Sequence, residues 1–145
     1  MRRIPLACLL ILAVPATAAP LYDSPPDPAA TAAAETTFAD SLAEARGVGS
    51  HTDVAAWPVD LDGDGVDEIV GQIGGLFLCG NYGCGFVLRA DGRGGYETLF
   101  RAPGMDALEV RDDRTAGWRD IGFWSPDVMG GPGVLRWNGS GYEAR

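Results

Sequence analysis

From Val54 onward the chain alternates short apolar runs with groups of glycine, asparagine and aspartate, and this pattern limits the fold more than any other feature. β-branched and aromatic residues favour strands, and breaks at this spacing leave no room for long helices between them. The sequence therefore predicts a mainly β (α+β) domain, an antiparallel β meander of about six to eight short strands. The runs are VAAWPV, EIVGQI, LFLCG, GFVLRA, YETLFRA, ALEVRD, WRDIGFW and GVLRW.

Two segments of similar sequence each predict a β-hairpin. VLRADGRGGYE occupies residues 87–97 and VLRWNGSGYE occupies residues 134–143. In both, an apolar strand is followed by Asp-Gly or Asn-Gly, which supplies the positive φ that tight hairpin turns require, and a tyrosine then restarts the partner strand.

The N-terminus predicts export from the cytoplasm. Arg2 and Arg3 precede an apolar run, and Ala16-Thr17-Ala18 has the small residues that signal peptidase cleaves, so residues 1–18 are a predicted signal peptide. No later stretch approaches the length of a transmembrane helix, and we expect no membrane insertion after cleavage. The predicted location is periplasmic or secreted.

Between the signal and the first strand, the sequence predicts a leader and one N-terminal helix. Residues 19–34 carry four prolines and few large apolar groups, and are predicted to be a flexible leader. From Glu35 to Arg46, Phe38, Leu42 and Ala45 recur at helical spacing, and Gly47 provides a stop. Residues 35–145 are thus predicted to form a single β-rich domain.

The strongest local feature is DLDGDGVDE, residues 60–68, which holds five carboxylates and two glycines. Such crowded like charges need solvation or a cation. Their alternation matches positions 1, 3, 5, 7 and 9 of a calcium loop, and oxygen ligands without histidine or cysteine favour a hard ion such as Ca²⁺. The predicted ligands are Asp60, Asp62, Asp64, the carbonyl of Val66, and Glu68.

Two other interpretations of this loop follow from its residues. An EF-hand would need a bidentate acid at position 12, which is Gly71 here, and a helix on each side, where the sequence predicts strands. The second alternative is that Asp62-Gly63 and Asp64-Gly65 are only hairpin turn residues with the other acids at the surface, and this alternative stays open.

With the runs on either side, DLDGDGVDEIV resembles the calcium loop of FG-GAP and VCBS repeats, β-hairpin units known from integrin-type β-propellers and from many secreted bacterial proteins. The likeness covers residues 54–70 and implies that the loop joins two antiparallel strands and ligates Ca²⁺ through the five residues named above. One copy implies a small standalone domain rather than a propeller. CGNYGC, GWRDI and RWNGSGY also resemble segments of small exported bacterial proteins of unassigned function.

The cysteines predict one disulfide bond. Cys8 would leave with the signal peptide, and Cys79 and Cys84 remain as an even pair in an exported protein. The alternatives were a redox pair, which normally has two residues between its cysteines, and a zinc site, which would need two further ligands nearby.

The composition and motifs predict a binding or structural role without catalysis. The net charge of −9 disfavours nucleic acid as a partner, His51 is the only histidine, and no nucleophile elbow, phosphate loop or dinucleotide fingerprint occurs. We therefore expect a calcium-binding structural or binding module. One alternative is a periplasmic inhibitor or accessory protein that docks on an envelope enzyme through the loop Asn81 to Gly83. The third is a carboxylate-dependent hydrolase.

An envelope protein or a glycan is the partner class that the sequence suggests. Tryptophans could line a carbohydrate-binding face, although in a β domain of this size they are more often core residues. The four are Trp57, Trp118, Trp124 and Trp137.

Overall fold

A computed structural model of the protein describes residues 20–126 and 129–145. In this part of the chain two four-stranded antiparallel sheets form the largest part of the structure, and within each sheet a strand pairs only with its sequence neighbours. The predicted mainly β, antiparallel fold is therefore confirmed. The first sheet consists of β1 (Asp53–Val59), β2 (Glu68–Gly74), β3 (Cys84–Ala90) and β4 (Tyr96–Pro103). The second consists of β5 (Asp106–Thr115), β6 (Trp118–Ser125), β7 (Gly131–Trp137) and β8 (Tyr142–Ala144).

Two helices precede the sheets. α1 (Pro28–Thr37) begins after Asp27, whose Oδ1 accepts a hydrogen bond from the Ala30 amide at 2.8 Å. Proline suits the first helical position because it has no N–H to leave unpaired. After Phe38, α2 (Ala39–Gly47) continues. A third helix, α3 (Leu76–Cys79), forms a single turn between β2 and β3, so the prediction of a strand for the run LFLCG is wrong.

The first sheet is covered on both faces, which gives the domain three layers. The helices pack on one face, where Phe38 and Leu42 meet Phe86 among other apolar side chains. The second sheet packs on the opposite face. The core between the two sheets includes Trp57, Val70 and Val87 from the first sheet, and Leu108, Ile121, Phe123 and Leu135 from the second.

In each sheet, a phenylalanine ring covers a glycine on the neighbouring strand. Phe86 lies opposite Gly71, and Phe123 lies opposite Gly133. A Cβ at either glycine would stand 2.4 Å or 2.3 Å from the ring. A larger residue at these positions would push the ring away, so the two glycines are packing residues.

The two similar segments form the third and fourth strands of their sheets, as hairpins. Asp91 Oδ1 accepts hydrogen bonds from the amides of Arg93 and Gly95, and Asn138 Oδ1 accepts from those of Ser140 and Gly141. The same turn chemistry thus closes both hairpins, as the sequence predicts.

The N-terminal part differs from the sequence prediction. Residues 19–34 were predicted to be a flexible leader, but α1 begins at Pro28, and Ala30 and Ala34 are buried against the first sheet. Small alanine side chains let the helix approach the sheet closely, so this segment packs as a helix although it has few large apolar groups. The single helix predicted over Glu35 to Arg46 is instead divided between α1 and α2 at Phe38. The predicted signal peptide at residues 1–18 lies outside the described residues.

The predicted disulfide is present. Cys79, at the end of α3, is bonded to Cys84, the first residue of β3, with 5.0 Å between the two Cα atoms. Both cysteines are buried. The bond closes the connection between β2 and β3 into a short ring.

Candidate metal centre

The acidic loop joins β1 to β2 and lies at one end of the first sheet. Val59 pairs with Glu68, so the strand ladder closes directly below the loop. The structure thus has the loop between two antiparallel strands, as the sequence predicts. The intervening residues hold no regular secondary structure.

Three of the predicted ligands come together. One carboxylate oxygen from each of Asp60, Asp62 and Glu68 lies within 4.8 Å of the others. Glu68 is only 2% exposed, whereas the two aspartates are half-buried. The group therefore has a buried floor and an open side, an arrangement that can hold a cation through oxygen atoms.

Hydrogen bonds within the loop fix its shape. Asp60 accepts from the amides of Gly63 and Gly65 at 2.8 and 3.0 Å, and Asp62 accepts from that of Asp64 at 3.0 Å. Gly63 and Gly65 have φ angles of 80° and 86°, a region that other residues rarely adopt. The two glycines in the sequence are thus required by the turns.

Leu61 anchors the loop to the second sheet. Its side chain is fully buried between the two sheets, and its amide donates to Glu68 Oε2 at 2.8 Å. Its carbonyl accepts from the Arg119 amide at 2.8 Å and from Arg114 Nη1 at 3.2 Å. One residue of the acidic loop therefore connects Glu68 with the β5–β6 hairpin.

The environment of the loop opposes the charge on its carboxylates. Burial raises the pKa of Glu68, and the carboxylates of Asp62 and Asp64 add to this rise. Burial also raises the pKa of Asp62, with further contributions from Asp64 and Asp60. In the described part of the chain, no arginine forms an ion pair with these acids. Arg114, which lies beside the loop, bonds the Leu61 carbonyl rather than a carboxylate, so within the described residues the acids of the loop have no ion-pair partner.

The remaining predicted ligands lie outside the group of three. Asp64 is exposed, and its Oδ1 accepts a hydrogen bond from the Val66 amide at 2.7 Å. The Val66 side chain is 57% exposed. Asp67, which lies between the predicted ligand positions, is also exposed.

Residues of the second sheet that no local sequence pattern predicts also support the loop. Tyr142, in β8, is buried, and its hydroxyl donates to the Arg119 carbonyl at 2.7 Å. Burial and the nearby carboxylates of Glu68, Asp120 and Asp62 raise its pKa. Leu61, an apolar residue between two aspartates, is the one sequence signal that points to such an anchor.

Three of the four tryptophans belong to the core. Trp57 and Trp118 are buried, and Trp137 stacks on Trp118 with 4.0 Å between ring centroids. Trp124 is the exposed one. The sequence expectation that these residues are mostly core residues agrees with this arrangement.

None of the helices in the described part of the chain combines the length and the hydropathy that crossing a bilayer would require. Comparison of the chain with protein-family models, with curated proteins and with solved structures found no match.

Proposed function

We propose that the loop of residues 60–68 binds one Ca²⁺ ion and that the protein is an exported, calcium-dependent structural or binding module without catalysis. The observation that carries this proposal is the buried carboxylate of Glu68, which lies with Asp60 and Asp62 in one group that forms no ion pair within the described residues. The resemblance of the loop to FG-GAP and VCBS repeats supports the same ion.

The ligand chemistry favours calcium over other common metals. All the candidate donors are oxygen atoms, which suit hard cations, whereas zinc and copper prefer nitrogen and sulfur. Ca²⁺ accepts an irregular set of six to eight oxygens, while Mg²⁺ demands a near-octahedral one. In the proposed site, Asp64 and the Val66 carbonyl complete the coordination begun by the group of three.

The main effect of calcium in this proposal is on stability. Burial, and after it the neighbouring carboxylates, raises the pKa values of Glu68 and Asp62, and a bound cation would stabilise the charged forms that both effects oppose. Because Leu61 links Glu68 to the β5–β6 hairpin, ordering the loop would also strengthen the junction between the two sheets. An ion that binds only the folded state stabilises it by mass action.

Export is part of the proposal. The predicted signal peptide supports it, and the disulfide is compatible with an oxidising compartment. Extracellular calcium modules commonly bind in the 10⁻⁴ to 10⁻³ M range, and we expect an affinity of about that order.

The test is the thermal midpoint of the oxidised protein in EDTA and across a calcium titration, with magnesium as a second ion. We expect a saturable rise with calcium and a much smaller response to magnesium. The double variant Asp60→Asn with Asp62→Asn should lose this response, because two of the three grouped carboxylates become neutral.

A matched control is Glu35→Gln with Asp40→Asn, which removes the same charge from exposed helical positions. It should keep the full calcium response. If the protein shows no shift at millimolar calcium, or if the control variant loses the response equally, the loop is an acidic hairpin turn and the proposal is wrong.

A further inference from the structure

Two neighbouring clefts lie at the end of the first hairpin opposite the acidic loop, around the loop that the disulfide closes. The polar cleft, of about 250 Å³, is lined by Asp53, Gln72 and Asp106 among others. The neighbouring groove, of about 490 Å³ and called the apolar groove after Leu76, is lined by that side chain together with Ser50, His51, Asn81 and three glycines. They share Gly75, Gly80 and Asn81 as a common ridge.

The polar cleft carries negative charge without a counter-charge. Asp53 and Asp106 line it, and within the described residues neither forms an ion pair. No arginine lines either cleft, and the chain contains no lysine. The surface is therefore complementary to a cation supplied from outside the molecule.

The neighbouring strand sets the position of the Asp53 carboxylate. Asp53 pairs with Gly74, and a Cβ at Gly74 would stand 2.3 Å from Asp53 Oδ1. The Asp53 carboxylate therefore lies over the backbone of Gly74, in space that the side chain of any larger residue at position 74 would occupy.

Hydrogen bonds from Gln72 join the walls of the polar cleft. Its Nε2 donates to the carbonyls of Tyr82 and Met105 at 2.8 and 2.6 Å, and its Oε1 accepts from the hydroxyl of Tyr22. These contacts connect the first sheet with the disulfide-closed loop, the β4–β5 connection and the N-terminal segment. A cleft held in this way needs little ordering when a ligand enters it.

Apolar side chains stand exposed beside the charged cleft. Leu76 and Phe77, in α3, are 72% and 51% exposed, and Leu76 lines the apolar groove. Exposed apolar groups next to unpaired charges, on a segment fixed by a disulfide, are typical of interaction surfaces.

We propose that the polar cleft and the apolar groove form one docking surface for a partner protein, which inserts an arginine beside Asp53 and Asp106 and places an apolar side chain of the same loop against Leu76. Arginine suits this position because its planar guanidinium bonds carboxylates in a forked geometry and is common at protein interfaces. A small free cation would leave Leu76 and Phe77 uncovered. This surface is separate from the calcium loop and does not depend on it.

The test uses ¹⁵N-labelled, oxidised protein and the peptide acetyl-Gly-Leu-Arg-Leu-Gly-amide, titrated by NMR in EDTA and again in calcium. We expect saturable shifts centred on Asp53, Gln72 and Asn81 under both conditions. The peptide with citrulline in place of arginine has nearly the same shape without the charge, and it should bind at least about tenfold more weakly.

Substitutions divide the contribution of charge from that of apolar contact. Asp53→Asn with Asp106→Asn should weaken the arginine peptide about tenfold, whereas the control Glu35→Gln with Asp40→Asn, with the same loss of charge, should not weaken it. Leu76→Ser should weaken the peptide about threefold and leave the binding of agmatine, a free guanidinium compound, unchanged. An unchanged thermal midpoint confirms that each variant is folded.

Several results would overturn the proposal. Equal binding of the citrulline peptide, or equal weakening in the control variant, would show general attraction to an acidic protein. Agmatine binding as tightly as the peptide would indicate a pocket for small cations instead of a protein-docking surface. Absence of saturable shifts at several millimolar peptide would exclude the surface. Because the titration is also run in EDTA, these outcomes can still be interpreted if the calcium proposal fails.

Discussion

Glu68 is the residue with the strongest conflict between its chemistry and its position. It opens a strand, it is 2% exposed, and its pKa is raised by burial and by neighbouring carboxylates. A buried charge is stable only when it is partnered, and the Leu61 amide supplies one hydrogen bond. Keeping the Glu68 carboxylate charged in this buried position therefore lowers the stability of the metal-free protein, and a bound cation would offset that loss.

Replacing Glu68 with glutamine should separate the loss of stability in the metal-free protein from the response to calcium. In EDTA we expect the free energy of unfolding to equal or exceed that of the unmodified protein, because the amide keeps the oxygen that Leu61 bonds and removes one repelling charge. Calcium affinity should fall at least about tenfold. Urea unfolding with and without calcium measures both quantities.

Asp67→Asn is the adjacent control, since Asp67 is exposed and lies outside the group of three. It should leave both the stability in EDTA and the calcium response nearly unchanged. A Glu68→Gln variant that is strongly destabilised in EDTA would mean that the carboxylate is satisfied without a cation.

The helix α1 is the element that the sequence pattern does not predict, and its cap provides a test. Asp27→Ala removes the acceptor of the Ala30 amide, and we expect a loss of about 1 kcal/mol in the free energy of unfolding. Chemical denaturation measures this change. Asp23→Ala, at an exposed position outside the cap, should have a much smaller effect, and equal effects of the two substitutions would contradict the capping role.

The connection between β2 and β3 depends on its disulfide. The variant Cys79→Ala with Cys84→Ala should lose about 2 kcal/mol of stability, the loop-entropy estimate for so short a ring. Urea unfolding of the oxidised protein and of the variant gives the difference. Dithiothreitol should reproduce the loss in the unmodified protein and have no effect on the variant, and a variant as stable as the parent would disprove the stapling role.

Patterns with a short range along the chain predict this fold well, and long-range contacts account for the rest. Local sequence predicts the Asp-Gly and Asn-Gly turns and the position of the loop of residues 60–68 between two strands. In each case the residues that determine the turn lie close together in the chain. In contrast, the burial of Ala34 depends on a sheet that follows it in sequence. The contact of Leu61 with Arg119 likewise joins two sheets. The alanine leaves no local signature, and the apolar character of Leu61 indicates burial without identifying its partner.

The N-terminal segment holds the molecule together across its layers. Tyr22 donates to Gln72 of the first sheet and packs edge-on against Trp57, while Pro20 forms a bridge with Glu109 of the second sheet. Tyr22 is 42% exposed, and its partial burial, with the nearby Asp106 carboxylate, raises its pKa to about 12. The phenol is therefore held neutral where a free tyrosine would ionise.

This raised pKa predicts a loss of stability in alkali. Between about pH 10 and pH 12 the unfolded chain releases the Tyr22 proton while the folded protein keeps it, so unfolding becomes more favourable as the pH rises. Tyr22→Phe should flatten this part of the curve relative to the unmodified protein. Urea midpoints at about pH 9 and about pH 11.5 give the comparison, and identical slopes would refute the assignment.

The order of the strands has a consequence for the speed of folding. Every named strand pairs only with its sequence neighbours in both sheets, so each strand pair can form between segments that are close in sequence. Closing short loops costs little chain entropy, and local topologies cross lower kinetic barriers than Greek keys do. We therefore expect refolding of the oxidised domain to be fast for a β protein of its length, with docking of the two preformed meanders as its slow step.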